Sequence, residues 1–204
     1  MNFLTKVKLG NITNLSDARY AAASGIEYLG FCFDTSNQNY IAPIKAKEII
    51  DWITGCEIVV EFGDQTIEEI QTISELLNAD LIELNNQILP DELIQFNKPI
   101  IKKIDINNFD SDGLKKEMES FKNQIELFHL FSSEKGNTDE KKLTNLFNQY
   151  KIIFGFELNP ETIISTINLF KPYAINVYGK DEEKTGYKDF DEMNRLLELI
   201  STER

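Results

Sequence analysis

Rhythm is the property of this chain that most limits what it can fold into. Short apolar runs alternate with amphipathic stretches from one end to the other. The runs Lys6–Leu9, Tyr28–Phe33, Glu57–Phe62, Leu81–Leu84, Ile100–Ile104, Ile125–Phe131, Lys151–Phe156 and Ala174–Val177 read as strands. Between and after them, Leu15–Ser24, Ile44–Thr54, Ile67–Asn78, Pro90–Phe96, Asp112–Phe121, Asp139–Tyr150, Pro160–Phe170 and Asp189–Ile200 carry helical periodicity. A strand followed by a helix, repeated through 204 residues, predicts a parallel α/β sheet. An open doubly wound sheet fits the same alternation. Eight units in so short a chain favour a closed (β/α)8 TIM barrel, because an open sheet would leave two edges to protect. No linker or low-complexity tract interrupts the run, so residues 1–204 are expected to form one barrel domain.

Several helix starts have local chemistry behind them. Thr66 and Glu69 form a capping box, in which each side chain can satisfy an orphan amide of the other residue. Asn159-Pro160 offers an N-cap followed by proline at the first helical position. Asp189 and Glu192 repeat the box before the last helix.

Charge and cysteine content bound the partners. The net charge of −13 leaves no basic stripe with which to replace the counterions of a nucleic acid. Cys32 and Cys56 lie in or beside apolar runs, outside any metal-ligand spacing, and are expected to be free thiols with no metal site. The N-terminus lacks an apolar signal region and no apolar run reaches bilayer length, which predicts a cytoplasmic chain with no membrane partner. No cofactor motif is visible. A small-molecule ligand is the expected partner, on a monomer or homodimer.

The first strand and its loop read Val7-Lys8-Leu9-Gly10-Asn11-Ile12-Thr13-Asn14, with Asp17-Ala18 shortly after. This resembles the V-K-I-C-G-I-T-N-x-x-D-A opening of the phosphoribosylanthranilate isomerase family. Gly25-Ile26-Glu27-Tyr28-Leu29-Gly30-Phe31-Cys32-Phe33 is similar to the family's G-A-D-x-L-G-F-V-F. Leu158-Asn159-Pro160-Glu161 and Pro172-Tyr173-Ala174-Ile175-Asn176-Val177 match its L-N-P-E and P-x-x-V-D-V. Gly186-Tyr187-Lys188-Asp189 matches its G-x-K-D. The resemblance implies a barrel of the ribulose-phosphate-binding type and an Amadori rearrangement in tryptophan biosynthesis, an intramolecular oxidoreduction.

The same correspondence implies that this reaction is weak or absent. It needs a base at C2′ of the opened sugar and an acid at the ring oxygen. The family's base is the cysteine of K-I-C-G, where this chain has Gly10, and Asn11 replaces the following glycine. The acid position at the end of strand six falls on Leu130 or Phe131, with Leu130 the expected match. The substrate-binding positions are also changed. Asn39 stands for an arginine, Asn85 lies in the altered strand-four motif, Gly136 is what remains of a glycine loop, and Phe156-Glu157 replaces a double glycine. Gly179 and Lys180 stand where the family has S-S-G, and Lys180 is placed to pair with Glu157.

Other residues could carry a different function. Glu61 and Glu83 are charges inside apolar runs, and Lys102 occupies the family's strand-five lysine position. Facing the barrel interior beside Lys102 or Lys103, they could form a coupled acid/base set; the simpler expectation is that Glu61 and the lysines are solvated at strand ends. His129, the only histidine, shares a face with Leu127 and Phe131 and reads as a packed core residue, or as a group near the acid position if that face points inward. Phe128, Phe131, Phe154 and Phe156 are expected to fill the barrel, with Phe156 and Tyr178 plugging its mouth in a non-catalytic binding protein. An enzyme should instead bring Glu61, Glu83 and Lys102 together in an open pocket.

Overall fold

Alternation of period two along each apolar run puts successive side chains on opposite faces of the sheet. In the computed structural model, which describes residues 2–85, 88–134, 140–178 and 191–202, this produces two cores, one inside the sheet and one around it. Eight parallel strands close in chain order: β1 (Lys6–Gly10), β2 (Tyr28–Cys32), β3 (Glu57–Phe62), β4 (Leu81–Leu84), β5 (Ile100–Asp105), β6 (Leu127–Phe131), β7 (Ile152–Phe154) and β8 (Ala174–Tyr178). Closure is direct: Lys6, Lys8 and Gly10 pair in register with Ala174, Asn176 and Tyr178. The barrel therefore has no exposed sheet edge.

Helices α1 (Leu15–Ser24), α2 (Pro43–Ile50), α3 (Ile67–Leu76), α4 (Ser111–Phe121), α5 (Glu140–Phe147), α6 (Ile163–Phe170) and α7 (Asp191–Ile200) alternate with the strands. Between β4 and β5 the expected helix is a short 3-10 segment, Pro90–Gln95. The Thr66 box forms as expected: Thr66 N donates to Glu69 Oε2 at 2.8 Å, and Glu69 N donates to Thr66 Oγ1 at 3.3 Å. Asn14 caps α1 by accepting from Asp17 N. Asn159-Pro160 departs from expectation. Asn159 Oδ1 accepts from Glu161 N and its carbonyl accepts from Thr162 N and Ile163 N, which makes a turn; the helix starts after it, at Ile163. Asp189 lies outside the described residues.

The outward strand faces and the helices share the larger core. Leu9, Phe31, Val60, Ile82, Leu130, Phe154 and Ile175 all lie in it. Phe128, Phe154 and Phe156 also point outward into this shell, correcting the expectation that they fill the barrel, and Phe154 packs against Phe156, Phe170 and Phe147. Inside the barrel, Tyr28, Val59, Leu81, Ile101, Leu127, Ile153 and Ala174 form a separate apolar plug. Two residues further along each strand, on the same inward face, the chemistry changes from apolar to polar.

Candidate functional site

The layer above the plug consists of Lys8, Gly30, Glu61, Glu83, Lys103, His129, Gly155 and Asn176, by the two-residue alternation of each strand. Lys8 Nζ lies 2.6 Å from Glu61 Oε1 and 3.0 Å from Glu83 Oε2. His129 Nδ1 lies 3.0 Å from the same Glu83 Oε2, and Lys103 Nζ approaches Glu83 Oε1 at 3.6 Å. Lys8, Glu83 and His129 are almost wholly inaccessible to solvent, at 1%, 1% and 0% exposure. Glu61 and Lys102 are buried as well, and Lys103 is largely so, which overturns the expectation that Glu61 and the lysines are solvated at strand ends.

The two inward glycines explain how these side chains fit. A Cβ at Gly30 would overlap Glu61 Oε1, and one at Gly155 would overlap His129 Nε2. Both strands leave out a side chain where a neighbouring strand sends a long polar one across. The sequence signal for this was present but unread: a glycine two residues beyond an apolar inward position, on a strand neighbouring a charge.

Burial and charge oppose each other at each group. Desolvation lowers the Lys8 pKa, but Glu61 and Glu83 outweigh it and hold the ammonium charged well above its ordinary range. Desolvation raises Glu83, but Lys8, His129 and Lys103 bring its carboxyl well below the ordinary range. His129 goes the other way: burial depresses its pKa more than Glu83 raises it. The imidazole is therefore neutral near pH 7. With Nδ1 facing a carboxylate, the proton sits on Nδ1 and donates to Glu83, leaving Nε2 with a lone pair. Two ammonium groups then face two carboxylates and a neutral ring.

Lys102 does not join this set. Its register neighbours are Leu84 and Phe128, on the outward face, and its Nζ lies 5.1 Å from the centre of the Phe121 ring of α4. The group facing the carboxylates is Lys103, one residue on. Leu130 also faces outward. It is fully buried in the outer shell, so the inward position ending β6 belongs to Phe131. His129 shares the inward face of β6 with Leu127, the orientation under which it could stand near the acid position, and it is a buried member of a polar network rather than of an apolar core.

At the strand ends, the Tyr178 ring lies beside Gly10: a Cβ there would sit 3.2 Å from Tyr178 Cε1 and 3.4 Å from Asn176 Oδ1. Tyr178 therefore covers the position that the resemblance assigns to the base, whereas Phe156 is turned away into the shell. Asn11 has a φ of 59°, the left-handed region that glycine occupies most easily and asparagine tolerates, which accounts for a glycine at that position in the family pattern. Asn85 and Glu157 are exposed, and Asn39 is half-buried in the loop after β2, with its N–H donating to Asn37 Oδ1. Gly136, Gly179 and Lys180 lie outside the described residues, and with them the expected Glu157–Lys180 pair. Cys32 ends β2 as a free, buried thiol, pushed up to about 11 by burial, and so is not a ready nucleophile. Among the described residues, no helix is long and apolar enough to cross a membrane.

The profile of the family described as N-(5'phosphoribosyl)anthranilate (PRA) isomerase matches residues 7–199, nearly the whole barrel. The chain belongs to this family. The N-(5'-phosphoribosyl)anthranilate isomerase of Aquifex aeolicus is 30% identical over 98% of this chain and 100% of its own. That of Syntrophus aciditrophicus is 25% identical over 97% and 87%. Among solved structures, the phosphoribosyl anthranilate isomerase of Thermotoga maritima superposes with a TM-score of 0.83 at 21% identity, over 96% of this chain and 98% of that one. At that identity the likeness speaks for the barrel alone.

Proposed function

We propose that this family member performs the ring-opening isomerisation of phosphoribosylanthranilate, the family's step in tryptophan biosynthesis, weakly or not at all, and that its barrel binds a small molecule instead. One observation carries the reading: at the inward ends of β1 and β6 stand Gly10 and Phe131, and neither can take or give a proton. Losing a single general acid or base lowers a rate by roughly two to four decades. With both positions substituted, and Asn39 and Glu157 at two of the substrate-binding positions, little of the family's rate enhancement has a group to supply it. Tyr178 beside Gly10 takes space that a substrate at the mouth would use.

The buried polar layer supports binding over an inert scaffold. A barrel kept for its outer surface alone gains nothing from five ionisable groups in its interior, since buried ion pairs are often no more stabilising than apolar residues of the same volume.

A second reading keeps catalysis on the barrel with other groups. It is favoured by the Glu83–His129 pair, in which a carboxylate orients an imidazole as in many general-base sites.

Turnover of phosphoribosylanthranilate by the purified protein, followed spectroscopically, tests the proposal. It should give no rate above the uncatalysed one. Titration with reduced 1-(o-carboxyphenylamino)-1-deoxyribulose 5-phosphate, the compound bound in one solved relative, should give no micromolar heat. Turnover at an ordinary enzymatic rate, on the order of 1 per second or faster, would overturn the reading.

A further inference from the structure

The polar layer and the mouth above it differ in exposure. Lys8, Glu83, His129 and Asn176 are buried, and Glu83 Oε1, His129 Nε2 and both polar atoms of the Asn176 carboxamide have essentially no contact with solvent. Two residues further along β1, β2, β6 and β8, on the same inward face, stand Gly10, Cys32, Phe131 and Tyr178. Tyr178 is 42% exposed and Phe131 is half-buried. Solvent is therefore stopped within one layer of side chains.

Of these four, only the two aromatic residues are large enough to stop it. Gly10 has no side chain and that of Cys32 is small. At the same level, Asn85 and Glu157 are exposed, and Asp105 Oδ1 accepts from the Asn107 and Ser133 amides. The Tyr178 ring leans from β8 over β1: its Cε1 and Cδ1 lie 3.2 and 3.3 Å from the place a Gly10 Cβ would take. Its hydroxyl is the covered end, since burial raises the phenol pKa and Lys103, Lys8, Glu61 and Glu83 all act on it. The Phe131 ring comes in from β6. Its centre is 5.2 Å from Lys103 Nζ and 6.5 Å from the centre of the His129 ring.

What lies beneath depends on such shelter, because charges act on one another more strongly where solvent is kept away. His129 faces Glu83 from β4, Lys8 from β1 and Lys103 from β5. Its neighbours on β8 and beyond β7, Asn176 and Gly155, carry no charge.

We infer that Phe131 and Tyr178 form an aromatic cover that seals the network of Lys8, Glu61, Glu83, Lys103 and His129 from solvent at the barrel mouth. The ring at the acid position and the ring over the base position are parts of one device. A ligand at the mouth would rest on the rings and not on the charges beneath them. The inference goes beyond the functional reading above and does not depend on it, since its readout is the His129 ring and not turnover.

The chain has a single histidine, so protein labelled with 15N-histidine gives one imidazole spectrum. In the unmodified protein the Nδ1 proton should be protected from exchange with solvent, and the ring should titrate below the ordinary value of about 6.5. Tyr178→Ser removes one ring of the cover. Solvent reaching the layer relieves the desolvation of the imidazolium, so the His129 pKa should rise toward about 6.5. Exchange of the Nδ1 proton should accelerate by about tenfold or more. Phe131→Ser should act in the same direction, whereas Tyr178→Phe keeps the ring and should change neither reading. A Tyr178→Ser protein with unaltered titration and exchange overturns the inference. So does a Tyr178→Phe protein that behaves like Tyr178→Ser, which would assign the effect to the hydroxyl. Should the serine variants not fold, the unmodified protein still decides: an Nδ1 proton that exchanges as fast as that of free histidine means that the layer is open and has no cover.

Discussion

Glu83 and His129 reach toward each other inside the barrel from β4 and β6, Oε2 to Nδ1 at 3.0 Å, with neither side chain open to solvent. Strand β5 separates them in the sheet. The contact therefore exists only because the inward faces of non-adjacent strands converge, and it links the acid side of the network to its one neutral base.

Breaking that link should be costly. Glu83→Gln leaves Lys8 with one carboxylate and removes the charge facing Lys103 and His129. Removing one partner of a buried ion pair typically destabilises by about 3–5 kcal/mol. Urea unfolding should show a loss of that size; a change under about 1 kcal/mol would mean that the network is hydrated and loosely held.

Stability should fall on mild acidification. The folded-state pKa of His129 is lowered by burial, so the unfolded chain binds the proton more readily. Its contribution is complete above the unfolded value of about 6.5 and is lost as the pH drops below it. Glu83, whose folded pKa is also depressed, adds a second loss that sets in as the pH falls into the ordinary carboxylate range and continues below it. Urea midpoints should decline in two stages, and His129→Asn should remove the first. A flat profile between pH 7 and 5 in the unmodified protein would contradict the neutral buried imidazole.

The inward glycines should resist even a methyl group. Gly155→Ala sets a Cβ against His129 Nε2, and Gly30→Ala sets one against Glu61 Oε1. Overpacking of this kind costs about 1–3 kcal/mol. Pairing Gly155→Ala with His129→Ala should recover part of the loss, which thermal unfolding of the single and double variants would read as non-additivity. Gly55, whose φ is 88° but whose Cβ would meet nothing, provides a contrast: its substitution is strained by the backbone alone.

Restoring the thiol alone should not restore the family reaction. Gly10→Cys must displace the Tyr178 ring, and Phe131 would still end β6 with no acid. No turnover of phosphoribosylanthranilate is expected from that single variant, and measurable turnover would sink the proposal that several groups needed for the reaction are substituted together.

The barrel was legible in the chain because its cause is local. The short apolar runs Tyr28–Cys32 and Leu127–Phe131, and capping at Thr66, are set by residues within a few positions of one another. Family membership was legible for a similar reason, since its motifs are contiguous. Even the unusual carboxylates Glu61 and Glu83 could be picked out as charges in apolar runs.

Whether Lys102 or Lys103 faces them could not be read, nor whether Leu130 or Phe131 ends the inward face of β6. Each pair differs by one residue, and one residue reverses the face of a strand. Local pattern could not fix that parity in Ile100–Asp105, where apolar and charged residues come in pairs, and the closure of the barrel did. His129 looked apolar because its strand neighbours are; only the convergence of β1, β3, β4, β5 and β6 on the axis brings it Glu83, Lys8 and Lys103. The sequence by itself determined which strands and helices form. The tertiary structure decided which side chains meet, because a contact between strands depends on register and closure, and both belong to the whole sheet.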